Sequence, residues 1–230
     1  MRIQGVQKVT LLDFPGCVAC TVFTLGCNFR CPFCHNASLV IPGEGKGEES
    51  EAFFSFLDTR RGKLDGVCIS GGEPLLQPDI RSFIERIREK GFSVKLDTNG
   101  SSPDILAELM RDGLLDAIAM DIKNAPDRYA ETCGLESPPI ESIGRSVTLI
   151  MTGGIPYEFR TTVVDEFHRE EDFRRIGEWI RGASAYYLQT FVESEGVIQK
   201  GLHPASREKM AACLTAVSKD VPTARLRGGL

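Results

Sequence analysis

Three cysteines within eight residues constrain this 230-residue chain more than any other feature. Cys27, Cys31 and Cys34 form a C-x3-C-x2-C loop that directly follows an apolar run ending at Leu25. Three thiolates on one short loop can converge on a metal centre, and Cys thiolates are the usual ligands of iron–sulfur clusters. A cubane has four irons, so three ligands leave one iron open, as a reactive metal site requires.

The same loop could instead hold structural zinc, with His35 as the fourth ligand. Zinc sites usually draw their ligands from two separated pairs, and adjacent residues such as Cys34 and His35 are awkwardly placed to share one tetrahedral ion. Cys17 and Cys20 form a C-x2-C pair that could complete a zinc site or act as a redox dithiol. Spacing alone leaves these alternatives open.

The composition favours a metal centre over a disulfide framework. Five of the eight cysteines fall between Cys17 and Cys34, and this local clustering is typical of metal binding. The net charge of −5 gives no broad basic surface for nucleic acid. The N-terminus lacks a secretory pattern and no apolar run is long enough to span a bilayer, so we expect a cytoplasmic protein without a membrane partner.

Strand and helix patterns alternate along the chain. Buried strands are predicted at Val18–Leu25, Gly66–Ser70, Ser93–Asp97, Leu115–Ile122, Tyr157–Val164 and Ala185–Val192. Helices are predicted at Ile80–Lys90, from Ser102 onward, at Asp172–Arg181 and at Ser206–Ser218. This alternation predicts an α/β protein with a parallel sheet. Six units are too few for a complete barrel, so we expect residues 1–230 to form a single domain, a partial, open (β/α)6 barrel.

Two further segments carry weaker predictions. Ile41–Gly47 is rich in glycine and predicts a flexible loop within the domain. Thr223–Arg227 alternates and predicts an edge strand, whose Arg225 and Arg227 are candidates for contact with a partner.

Polar motifs follow several of the predicted strands, where parallel α/β sheets place their ligands. They are Ser70-Gly71-Gly72-Glu73-Pro74, Leu96-Asp97-Thr98-Asn99-Gly100, Met120-Asp121-Ile122-Lys123 and the Arg160 segment Phe159–Val164. In this order after the cysteine loop, they resemble the radical SAM superfamily, whose members split S-adenosylmethionine (SAM) at a [4Fe–4S] cluster. Leu12–Gly16 and Cys34-His35-Asn36 resemble the branch that activates glycyl radical enzymes, namely pyruvate formate-lyase and anaerobic ribonucleoside-triphosphate reductase.

The resemblance assigns roles to individual residues. Cys27, Cys31 and Cys34 would hold the cluster, and SAM would chelate its open iron. The cofactor-binding residues that the resemblance implies are Phe33, Gly71, Gly72, Glu73, Asp97, Asp121, Lys123, Arg160 and Gln189.

Several of these residues have a specific expected partner on SAM. Asp121 would accept a hydrogen bond from the SAM amino group and Lys123 would pair with its carboxylate, from one face of a strand. Asp97 would accept from the ribose hydroxyls. Glu73 would either contact the cofactor or hold the turn, and Gln189 stands where pyruvate formate-lyase activators are expected to carry a histidine.

The resemblance also implies partners, namely a glycyl radical enzyme as the protein substrate and flavodoxin or ferredoxin as the electron donor. Asp13-Phe14-Pro15-Gly16 departs from the Asp-Gly-Pro-Gly run of many such activators, which leaves the partner's identity open. Two other functions remain: a radical SAM enzyme that acts on a small molecule or another macromolecule, and a zinc or redox module without catalysis.

Overall fold

The computed structural model describes residues 1–40 and 48–228, and the predicted loop Ile41–Gly47 lies outside them. Within these ranges one sheet contains nine strands. They are β1 (Arg2–Thr10), β2 (Ala19–Thr24), β3 (Glu48–Glu49), β4 (Gly66–Gly71), β5 (Ser93–Thr98), β6 (Ala117–Asp121), β7 (Tyr157–Val163), β8 (Tyr186–Thr190) and β9 (Arg225–Arg227).

The sheet follows the chain, in the order β3-β1-β2-β4-β5-β6-β7-β8-β9. From β2 to β9 every neighbouring pair is parallel, whereas β1 runs antiparallel to both β2 and β3. Among the described residues, β3 and β9 are the two edges of the sheet and do not pair with each other, so the barrel is open. The predicted partial barrel is confirmed, and its six central parallel strands are those read from the sequence.

The helices lie in the connections between strands. They are α1 (Ala37–Val40), α2 (Ser50–Asp58), α3 (Ile80–Glu89), α4 (Pro103–Arg111), α5 (Tyr129–Cys133), α6 (Ile140–Thr152), α7 (Glu170–Trp179) and α8 (Arg207–Ser218). In α3 the predicted apolar stripe Ile80, Phe83, Ile84 and Ile87 is buried. Burial of this stripe against the sheet is what fixes the helix, since its other face carries charged residues.

Alternation of side chains along the strands creates two different faces. Val22, Ile69, Leu96 and Ile118 are neighbours in register and are all buried in the hydrophobic core. The opposite face lines the barrel interior and carries charged residues, among them Asp121. The carboxyl ends of the strands therefore bring polar side chains to one rim of the barrel.

Candidate active site

The cysteine loop begins where β2 ends, and neighbouring segments hold it by backbone hydrogen bonds. Cys31 is 7% exposed, while Cys27 and Cys34 are half-buried. The carbonyl of Cys34 accepts from the Ile198 N–H at 3.2 Å, and the Cys133 carbonyl accepts from the loop at 2.8 Å. The loop is thus fixed from the segment after β8 and from the end of α5.

A cavity of about 210 Å³ opens at this rim, and all three cysteines line it. Seven of the nine predicted cofactor-binding residues line it with them: Phe33, Gly71, Gly72, Asp97, Asp121, Lys123 and Arg160. The remaining two, Glu73 and Gln189, do not line this cavity. Gln189 is the register neighbour of the lining residue Thr162 and stands on the same face of the sheet.

Two glycines pack the end of β4 against the start of the cysteine loop. Gly71 has φ +119°, and a Cβ there would overlap the backbone of Thr24. A Cβ on Gly72 would overlap the carbonyl oxygen of Gly26. Gly71 must be glycine because of its positive φ, and both positions must be glycine because a Cβ would overlap neighbouring backbone, so packing requires the pair whatever it contacts in the cavity.

Gly72→Ala is expected to displace the cysteine loop, because the added methyl overlaps backbone atoms that cannot rotate away. Overpacking of this kind costs about 1–3 kcal/mol of unfolding free energy, and SAM cleavage should fall with it. Gly5→Ala is the control, since a Cβ there has no neighbour within 4 Å and Gly5 does not have a positive φ. Equal stabilities and activities of the two variants would contradict the packing role.

Glu73 is fully buried and ties the glycine turn to the end of β5. Its carboxylate accepts from Leu75 N–H at 3.1 Å, from Thr98 Oγ1 at 2.8 Å and from Asn99 N–H at 2.7 Å. Burial raises the pKa of Glu73 to about 7, against these three donors, which favour the charged form. Its contacts are those of a residue that holds the turn.

The raised pKa of Glu73 predicts a pH dependence of folding. Because its folded pKa lies above its usual 4.5, the native state holds the proton more tightly and stability falls as pH rises from about 4.5 to 7. The free-energy change attributable to Glu73 is about 3 kcal/mol at most. Urea denaturation across this range should show that fall in the wild type and not in Glu73→Gln. If the unfolding free energies of the wild type and Glu73→Gln changed in the same way with pH, the raised pKa of Glu73 would be contradicted.

Four charged side chains form a continuous ion-pair chain along the cavity. Asp121 Oδ2 accepts from Lys123 Nζ at 2.9 Å and Asp121 Oδ1 from Arg160 Nε at 3.0 Å. Arg160 Nη1 also donates to Asp97 Oδ2 at 3.1 Å. Behind the cavity wall, Lys95 pairs with the other oxygen of Asp97.

The ion pairs keep these groups charged despite burial. Burial raises the pKa of Asp121, but Lys123 and Arg160 outweigh it and hold that pKa well below its usual range. Burial alone would lower the pKa of Lys123. The charge of Asp121 outweighs burial, so the pKa of Lys123 lies above its usual value. The pKa of Asp97 is lowered too, since Arg160 and Lys95 outweigh burial. The cavity therefore offers fixed charges of both signs, which suits a zwitterionic ligand.

The thiols fit an iron–sulfur cluster in their chemistry. Burial raises the pKa of Cys31 to about 12 and also raises that of Cys27, so these two thiols are protonated and metal binding must displace their protons. Cys27 Sγ accepts hydrogen bonds from Phe29 N–H at 3.4 Å and from Asn99 Nδ2 at 3.9 Å. Such donors stabilise an electron-rich thiolate.

Within residues 1–40 and 48–228, no three His, Cys, Asp or Glu side chains are grouped closely enough to hold a single metal ion. A cubane, by contrast, takes each cysteine on a different iron.

Two residues that shape the site have no role in the sequence-based prediction. Asn99 lies in the Leu96–Gly100 motif without an assigned contact, yet it lines the cavity and its Nδ2 donates to Asn28 Oδ1 at 2.9 Å in the cysteine loop. His168 belongs to none of the motifs, yet it is buried and its Nε2 donates to the Lys123 carbonyl at 2.9 Å, while its Nδ1 accepts from Val164 N–H. Both act across long sequence separations, which no local pattern reveals.

Comparisons with known proteins agree with this arrangement. The model of the radical SAM superfamily matches residues 21–180. An inferred glycyl-radical enzyme activating enzyme of Methanocaldococcus jannaschii is 34% identical over 193 residues, covering 82% of this chain and 79% of the relative. The pyruvate formate-lyase-activating enzyme of Clostridium pasteurianum is 31% identical over 131 residues, covering 55% of this chain and 54% of that enzyme.

A solved structure shows the same fold. Streptococcus suis SuiB bound to its precursor peptide SuiA superposes with a TM-score of 0.70 at 13% identity, over 90% of this chain and 49% of SuiB.

The chain belongs to the radical SAM superfamily, and it is a radical SAM enzyme with activase-like relatives. Membership implies an iron–sulfur cluster and SAM. In the part of the chain that the structure describes, no helix has the length and apolar character needed to cross a membrane.

Proposed function

We propose that this protein binds a [4Fe–4S] cluster through Cys27, Cys31 and Cys34 and cleaves SAM reductively to generate a glycyl radical on a partner enzyme. One observation carries the proposal: a single cavity is lined by the three cysteines, by the Gly71-Gly72 turn and by the Asp121–Lys123 ion pair. Metal ligands and a zwitterion-binding charge pair thus face the same space.

The cluster, when bound, supplies the electron that breaks the SAM sulfur–C5′ bond to give methionine and a 5′-deoxyadenosyl radical. The residues of the chain bind and orient SAM. Asp121 accepts from the SAM amino group, and Lys123 pairs with the SAM carboxylate. Both groups are charged and fixed before SAM arrives, so little reorganisation is needed on binding.

Further cavity residues set the position of the nucleoside. Asp97 would accept from the ribose hydroxyls, and Arg160 orients it by a hydrogen bond of 3.1 Å. Phe33 is buried at the cavity wall and offers an apolar surface for the adenine. Burial of these groups limits water access, which protects a reactive radical from side reactions.

The protein substrate is the finer part of the proposal. A glycyl radical enzyme is favoured because relatives at 34% and 31% identity carry the names of activating enzymes. The 5′-deoxyadenosyl radical would take a hydrogen atom from a glycine Cα of the partner, giving 5′-deoxyadenosine and the glycyl radical. The electron would come from a flavodoxin or a ferredoxin.

The test is anaerobic reconstitution with iron and sulfide, followed by reduction and assay of 5′-deoxyadenosine. The sample is then incubated with SAM and a panel of glycyl radical enzymes, including pyruvate formate-lyase and anaerobic ribonucleotide reductase. Electron paramagnetic resonance should show a glycyl radical on one partner. SAM cleavage without a radical on any partner would favour a small-molecule or other macromolecular substrate. Zinc without labile sulfide would reject the enzyme proposal.

A further inference from the structure

A second cavity of about 320 Å³ lies at the opposite end of the barrel, near the first residues of β6, β7 and β8. Lys95, Glu158 and Tyr187 line it. Two of these residues reach toward the SAM cavity, since Lys95 pairs with Asp97, and Glu158 Oε1 lies 3.8 Å from Arg160 Nη1. A layer of ion pairs therefore separates the two cavities.

The short edge strand β9 contributes one cation to this layer. Arg227 donates to both oxygens of Glu158, at 2.9 Å and 2.6 Å, and its guanidinium lies 3.5 Å from the ring centre of Tyr187. Planar, bidentate pairing combined with stacking on an aromatic ring is a geometry that Lys cannot reproduce. Arg227 is a candidate for partner contact from the sequence, and in the structure its half-buried guanidinium pairs with Glu158.

Arg160 connects this layer of ion pairs to the proposed SAM site. Three carboxylates surround it: Asp97 at 3.1 Å, Asp121 at 3.0 Å and Glu158 at 3.8 Å. The two nearer ones line the SAM cavity, whereas Glu158 does not. In the structure Arg160 bonds both cavity carboxylates while Glu158 has a cation of its own in Arg227.

Removal of Arg227 would change the balance around Arg160. The Glu158 side chain is 9% exposed, so its charge would be left in the interior without its bidentate partner. Arg160 already lies 3.8 Å from Glu158 and would be drawn toward it. Its hydrogen bonds to Asp97 and Asp121 would then lengthen or break, and both carboxylates would lose their orientation.

We infer that Glu158 and Arg227 are positioning residues, which hold Arg160 on the cavity carboxylates and thereby set the affinity for SAM. The inference rests on the proposed SAM site and is independent of which partner receives the radical. The strand β9 would then influence SAM binding although it does not line the SAM cavity.

The test measures the dissociation constant of SAM by equilibrium dialysis on the reconstituted, unreduced protein, where no turnover occurs. Arg227→Gln is expected to weaken SAM binding about tenfold or more, as breaking a buried charge pair does. Arg227→Lys should weaken binding less. The double variant Glu158→Gln/Arg227→Gln should return to within about twofold of the wild type, because no carboxylate then competes for Arg160.

Arg225→Gln is the matched control. Arg225 lies two residues earlier on β9, is exposed and donates to the carbonyls of Pro222 and Ala224. This variant should bind SAM as the wild type does. Thermal unfolding of every variant shows whether β9 remains docked.

Three results would overturn the inference. Unchanged SAM binding in Arg227→Gln would show that Glu158 does not compete for Arg160. A double variant as weak as the single variant would mean that Arg227 only docks the strand. A wild-type protein that holds its cluster but binds no SAM would overturn the proposed site and this inference with it.

Discussion

Cys31→Ala is expected to abolish cluster assembly and SAM cleavage together, lowering 5′-deoxyadenosine formation by at least about a hundredfold. Cys31 is the most buried of the three loop cysteines, at 7% exposure. Its removal leaves only Cys27 and Cys34 for the cluster, and no other side chain of the loop can supply a thiolate in its place. Iron and labile sulfide content, the cluster's visible absorbance and 5′-deoxyadenosine are measured on the same reconstituted sample.

Cys17→Ala separates this prediction from the zinc and dithiol alternatives. Cys17 is half-buried two residues before β2 begins, and it does not line the cavity. Cluster content and SAM cleavage should match those of the wild type. Loss of metal in Cys17→Ala, or a full four-iron cluster with active SAM cleavage in Cys31→Ala, would show that the ligands have been assigned to the wrong thiols.

The parallel part of the barrel could be predicted from sequence because each strand is short, apolar and bounded by turn residues. The predicted strand Ser93–Asp97 spans Ser93–Thr98 in the structure, and the predicted strand Gly66–Ser70 spans Gly66–Gly71. The strand β1 was missed because Arg2–Thr10 is mostly polar and half-exposed, as is usual when antiparallel strands face solvent on one side. The helix α6, Ile140–Thr152, was also missed.

The residues of the cavity were predictable to the extent that they follow strands in recognisable motifs. Asp121 and Lys123 were placed on one face by alternation, and the structure joins them in an ion pair. The pairing of Glu158 with Arg227 spans 69 residues and depends on how β9 docks beside β8. No local pattern specifies such a contact, because it arises only when the sheet is assembled.

Asp121→Asn is expected to destabilise the protein by about 3 kcal/mol at neutral pH, because it leaves two buried cations without their shared anion. Lys123 and Arg160 both bond this carboxylate. The asparagine carbonyl can still accept one hydrogen bond but carries no charge. SAM binding should weaken at least about tenfold, since the SAM amino group loses a charged acceptor.

The pH dependence of the Asp121→Asn effect follows from the depressed pKa of Asp121. A carboxyl group whose folded pKa lies below its usual 3.8 contributes its full stabilisation above that value and loses it as pH falls through the folded pKa. The difference in unfolding free energy between wild type and variant should therefore be constant from about pH 5 to 8 and shrink only below about pH 4. Urea denaturation at several pH values measures this difference.

Glu171→Gln provides the same chemical change at an exposed ion pair with Arg174 on α7. No measurable loss of stability is expected there, because exposed pairs are screened by solvent. If Asp121→Asn proved as harmless as Glu171→Gln, the buried charges would be compensated by other groups. The Asp121–Lys123–Arg160 arrangement could then not be what prepares the cavity for SAM. If only Asp121→Asn lost stability and SAM binding together, one carboxylate would be shown to serve both the fold and the cofactor.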